Sequence, residues 1–136
     1  MRRSQKLIQS TPWLPVAIFP LLMAASSCGA LDPTLSTINA EVFEGSCAFE
    51  SCHGGPSPES DLDLSSVEAA YATLIDVPGE AADVVRVVPG DPDNSLLYQL
   101  LLTEVEDARK MPVGAQLPDN ELEAIRQWIE DGAENN

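Results

Sequence analysis

Apolar residues recur at helical spacing in four stretches of the chain. In "STINAEVFEGSCAF", Ile38, Val42 and Phe43 form a stripe, and Ser36 or Thr37 is placed to cap it. Ser65-Ser-Val-Glu68 has the form of a capping box and opens a helix through "VEAAYATLID". In "DPDNSLLYQLLLTEV", Leu96, Leu97, Leu100 and Leu101 share a face, with Asp91 or Asp93 as the cap. "DNELEAIRQWIEDG" puts Leu122, Ile125, Trp128 and Ile129 on one side and ends at Gly132. The connections are polar, or rich in Gly and Pro. "GGPSPESD" is a loop, and "DLDL" is extended with Leu62 and Leu64 turned inward. "VVRVV" reads as a short strand or an apolar extended run, and "EDARKMPVGAQLP" as a loop. The pattern predicts an all-α domain of about four helices joined by long loops.

The N-terminus follows a different rule. "MRRSQK" is basic, residues 7–25 are apolar but interrupted by prolines, and Ala24, Ala25, Ser26 and Ser27 precede Cys28. This is the layout of a secretory signal. A cysteine directly after small residues predicts a lipoprotein, cleaved before Cys28 and lipidated on its sulfur. The expected organisation is a signal peptide over 1–27, a tether over 28–35 and a domain over 36–136. The expected location is the cell envelope, lipid-anchored, on the periplasmic side or in the outer membrane.

Export changes the charge balance. Four basic residues remain against 22 acidic ones, a net charge of −18. Such a surface repels nucleic acid and anionic lipid and favours a basic protein partner. An oxidising compartment also lets disulfides persist.

The candidate chemistry is concentrated in "SCAFESCHGG", which holds Cys47, Cys52 and the only histidine, His53. Covalent haem attachment needs two thiols and an adjacent histidine, as in C-x-x-C-H. Here four residues separate the cysteines, so two must bulge away, while Cys52 and His53 stay adjacent. Gly54 and Gly55 let the backbone turn beneath a flat ligand. A sixth iron ligand cannot be a second histidine. Met111, the only methionine past the signal, lies 58 residues after His53 in a loop beside Pro112. Met/His ligation favours Fe(II) and raises the potential. Two other readings stay open: a Cys47–Cys52 disulfide in a haem-free envelope lipoprotein with a binding or structural role, and a zinc or copper site short of ligands. Arg86, Arg109 and Lys110 are three of the four remaining basic residues, and haem propionates are a natural counter-charge.

Three stretches, "SCHGG" with "LDL", "RVVPGDPDNSLLYQLL" and "RKMPVGAQLPDNELEAIRQWIEDGA", resemble the small bacterial single-haem cytochrome c domains called planctomycete-type. The resemblance covers about residues 38–133. It implies a class I cytochrome c fold around one covalent haem c, with first and last helices crossing and Trp128 near Phe43. It also implies thioethers at Cys47 and Cys52, His53 as proximal ligand and Met111 as distal ligand. The four-residue loop departs from the family's commonest motif. The function expected is single-electron transfer between redox partner proteins, not enzymatic catalysis. A peroxidase-like or sensing role would require Met111 to dissociate.

Overall fold

The structure is a computed structural model that describes residues 29–80, 84–102 and 109–136. The signal segment and Cys28, the expected lipidation site, lie outside the described residues. Among the described residues there are four helices and no strand. The first, α1, is a continuous helical run over 35–46: α-helical at Leu35–Ile38, π-helical at Asn39–Phe43 and α-helical again at Glu44–Ser46. It is followed by α2 (Val67–Leu74), α3 (Leu96–Leu102) and α4 (Asp119–Glu130). Short 3-10 turns stand at Glu59–Asp61 and Pro92–Asn94. The "VVRVV" run forms only isolated bridges, Val85 to Pro78 and to Ser95, Val87 to Ile75 and Val88 to Asp91.

Two caps differ from those the sequence suggests. The α1 cap is Thr34, whose Oγ1 accepts from the Thr37 N–H, so the helix starts at Leu35. The N–H groups of Leu35 and Ser36 are satisfied from far away, by the side chain and the carbonyl of Asn136. No local pattern signals such a partner. For α2 the cap is Ser66, not Ser65, and its Oγ accepts from Ala69 N–H. Ser65 is taken by Asp63, which accepts from its N–H at 2.9 Å and from its hydroxyl at 2.6 Å. These bonds hold the partly exposed Asp63 carboxyl below the usual range.

The core is built by the expected faces. Leu35, Ile38, Val42 and Phe43 of α1 join Leu122, Ile125, Trp128 and Ile129 of α4 in one buried cluster with Leu64, Leu74 and Leu101. The α1 helix packs on α4 and α2, and α4 packs on α3. Trp128 is buried without an orphaned donor because its indole N–H reaches the Glu134 carbonyl. Buried Asn39, in the π-helical turn, donates to the Leu64 carbonyl at 3.0 Å and ties α1 to the segment after the cysteine loop.

Candidate functional site

The long loops and α3 enclose a cavity of about 1080 Å³, at the upper end of the size that holds a cofactor. Leu96, Leu97, Leu100 and Leu101 of α3 form one wall, and Leu62, Leu64 and Leu74 contribute to the lining. Cys47, Cys52, His53, Met111, Arg86 and Arg109 line this same cavity. The structure thus brings together side chains as far apart in sequence as Cys47 and Met111. A second hollow of about 700 Å³, between Gly29–Pro33 and α4, has carboxylates but no thiol, imidazole or thioether.

The cysteine loop is shaped by its backbone. The N–H groups of Cys47 and Ala48 both reach the Phe43 carbonyl at 2.8 Å, ending α1. The Phe49 carbonyl then accepts from Cys52 and Gly54, and His53 N–H returns to the Cys47 carbonyl at 3.1 Å. The two extra residues are absorbed in this turn, and Cys47 stays hydrogen-bonded to the backbone of His53. Gly54 is required by close approach, since a Cβ there would stand 2.3 Å from the Ala48 carbonyl oxygen. Gly55 has φ +73°, a left-handed conformation that suits glycine.

His53 is held from two sides by the segment that follows. Its carbonyl accepts from Leu64 N–H at 2.7 Å, and its Nδ1 lies 3.2 Å from the Glu59 carbonyl oxygen. A carbonyl only accepts, so Nδ1 carries the proton and Nε2 keeps its lone pair for a metal. The loop with Met111 is fastened to the end of α3, where Met111 N–H donates to the Leu100 carbonyl at 3.2 Å. The Met111–Pro112 peptide is cis, and Met111 is half-buried against the core.

The basic residues occupy three distinct settings. Arg109 lines the cavity from an exposed position. Arg86 also lines it, but its guanidinium donates to the backbone carbonyls of Ser60, Asp61 and Thr73. Lys110 is 1% exposed, is not part of the lining, and donates its Nζ to the Leu101 carbonyl.

Glu121 and Phe49 also line the cavity, and neither was singled out in the sequence. Glu121 could have been found, because it lies four residues before Ile125 and seven before Trp128, at the spacing of the buried face of α4. Burial, with Glu41 nearby, raises its carboxyl. The Cys47 thiol is pushed up to about 11 by burial, with Cys52 and Glu121 adding to the effect. Cys47 and Cys52 are unbonded thiols. Among the described residues, no three His, Cys, Asp or Glu side chains converge as a metal-ion cluster.

The residues present fit a haem. A largely leucine-lined cavity carries two thiols, an imidazole with its Nδ1 proton already engaged, and a thioether. A tight glycine turn adjoins the imidazole. No curated protein and no solved structure matches the chain significantly. The family model described as Planctomycete cytochrome C matches residues 50–112, a span that includes Cys52, His53 and Met111 and begins just after Cys47. With the all-α architecture, this match supports a planctomycete-type cytochrome c domain in the chain.

Proposed function

We propose that the protein is an exported electron carrier with one covalently held haem c. Cys47 and Cys52 would hold the group through thioethers, with His53 and Met111 as the iron ligands. The observation that carries this reading is the convergence of all four side chains on one apolar cavity. When bound, the haem supplies one-electron exchange. The leucines exclude water, the Glu59 carbonyl fixes the His53 tautomer, and the Leu100 carbonyl anchors the Met111 backbone. With His53 and Met111 both holding the iron, the site would have no open place for a substrate, which favours a carrier over an enzyme.

A lipid on Cys28 would tether the domain at the cell envelope. No helix among the described residues is long and apolar enough to cross a membrane. The proposed partners are redox proteins with a basic face, matched to the acidic surface. Phe49 and Val113, 52% and 76% exposed, are apolar residues of the cavity lining open to such a partner.

The test is mass spectrometry with a haemochrome spectrum, on protein from an exporting host that attaches haem. A gain of one haem that survives denaturation, with a c-type spectrum, supports the proposal. A haem-free mass two hydrogens light overturns it in favour of a Cys47–Cys52 disulfide. Met111→Ala then separates the ligands: haem should remain attached, with an altered axial spectrum and a lower potential. An unchanged spectrum would remove Met111 from the site.

A further inference from the structure

We infer that Arg86 is a positioning residue for His53, acting through the backbone turn that presents the Glu59 carbonyl to the imidazole. This rests on the proposed role of His53 as a haem ligand and adds the device that aims it.

The turn is held in an unfavourable conformation. Ser60 and Asp61 have φ of 58° and 52°, two consecutive non-glycine residues in the left-handed region. Side chains there crowd the backbone, so such a pair persists only when its surroundings enforce it. Its local bonds are few: Asp61 N–H to the Pro58 carbonyl and Leu62 N–H to the Glu59 carbonyl. The Ser60 hydroxyl adds a bond to Glu80.

Arg86 supplies the enforcement. One guanidinium nitrogen donates to the Ser60 carbonyl, and the other donates to Asp61 at 3.2 Å and to Thr73 at 2.8 Å. The rigid planar fork therefore joins the turn to the end of α2. Arg86 is itself anchored through its backbone, from its N–H to the Val77 carbonyl and from Leu97 N–H to its own carbonyl. In a chain with 22 carboxylates, this cation is committed to three neutral carbonyls. That choice is explained if its work is to fix backbone.

The backbone it fixes is the one His53 uses. Glu59 immediately precedes the strained pair, and its N–H is bonded to the Cys52 carbonyl at 2.8 Å. Its carbonyl accepts from Leu62 N–H and from His53 Nδ1, filling both lone pairs. If the pair relaxes, the Glu59 carbonyl rotates and the imidazole loses its acceptor. A histidine without that bond is a weaker donor to a metal, which raises the reduction potential.

The experiment uses the haem-loaded protein and three variants: Arg86→Met, Arg86→Lys, and Arg86→Met combined with Ser60→Gly. Two quantities are read, the solvent exchange of the His53 Nδ1 proton by NMR and the reduction potential. Arg86→Met should exchange that proton about tenfold faster or more and shift the potential upward. Lysine, a single-point donor, should restore part of both. Ser60→Gly removes the steric reason for the clamp and should return exchange toward wild type in the Arg86→Met background. Arg86→Met with wild-type exchange and potential overturns the inference, whatever its melting temperature. Failure of the double variant to recover exchange when Arg86→Met is fast also overturns it, since strain would not be the cause. If Arg86→Met does not load haem, the double variant decides: loading with slow exchange supports the clamp, and failure to load refutes it. The role of His53 is read separately, because a wild-type spectrum without histidine-ligated haem ends that premise before any variant is compared.

Discussion

A Cβ on Gly54 would stand 2.3 Å from the carbonyl oxygen of Ala48 and 2.9 Å from its carbon. Both atoms belong to backbone in the turn that absorbs the long cysteine loop, so neither can rotate away. Gly54→Ala must therefore move the loop. We expect a loss of roughly 1–3 kcal/mol and a lower fraction of protein carrying haem, read by thermal melting and intact mass. Gly45 is the internal control. It lies in α1 with nothing within 4 Å of its would-be Cβ. Gly45→Ala should be neutral or stabilising by up to about 1 kcal/mol. Equal effects at the two sites would contradict the close approach.

Lys110 and Met111 are adjacent, and both are fastened to the C-terminal end of α3. The ammonium reaches the Leu101 carbonyl, while the Met111 N–H reaches that of Leu100. A cation at this end also opposes the helix dipole. Lys110→Met keeps most of the stem and loses the bond, for a cost of about 1–3 kcal/mol. Lys110→Ala adds the lost packing of a buried side chain, for a cost of about 2–5 kcal/mol in total. Urea denaturation measures both. Loss below a few tenths of a kcal/mol in either variant would mean that the side chain is solvated in solution.

Glu121 brings a carboxyl to the cavity lined by Cys47 and His53. Its proton affinity in the folded state is raised, by burial first and then by Glu41. The sign follows from linkage. Its contribution is fully present below the ordinary carboxylate range and is lost as pH rises through the raised value. At neutral pH the charged form therefore opposes folding. Glu121→Gln should be more stable than wild type at neutral pH and equal to it in acid, where both are uncharged. In the loaded protein it should also raise the potential, because it removes a negative charge near the group. An unchanged potential in potentiometric titration would place the carboxylate away from the site.

How much of this was legible in the chain depends on how local the cause is. The stripe Leu122, Ile125, Trp128 and Ile129 predicts the buried face of α4 because spacing alone sets it. Cys47, Cys52, His53 and Met111, grouped in sequence by the cysteine–histidine pattern and the family resemblance beside a disulfide and a metal-site reading, line one cavity. The α1 start was missed because Asn136, 101 residues from Leu35, supplies the side-chain acceptor. The Ser65 cap was missed because Asp63 competes for the same serine. Arg86 reads as a counter-charge in sequence, yet its guanidinium is on carbonyls whose direction depends on two left-handed residues. Backbone handedness at Ser60 and Asp61 leaves no compositional trace, because neither is glycine.

Cys47 gives a pH test that also reports whether haem is attached. In the haem-free chain its thiol is pushed from an ordinary value of 9.0 up to about 11, by burial first, then by Cys52 and Glu121. Between these values the unfolded chain releases the proton while the folded chain keeps it. Stability contributed by this group is complete below the unfolded value and declines as pH rises through the folded one. The loss should amount to about 2–3 kcal/mol, measured by urea denaturation across that window. Cys47→Ala should abolish the part of the slope due to this residue, leaving whatever other groups contribute. Its alkylation near neutral pH should also be about a hundredfold slower than that of a free thiol. In the loaded protein the sulfur is a thioether with no proton to lose. The same window should then show the Cys47→Ala slope, and alkylation should not occur at all. A loaded protein that still takes up an alkyl group at Cys47 would mean attachment through Cys52 alone.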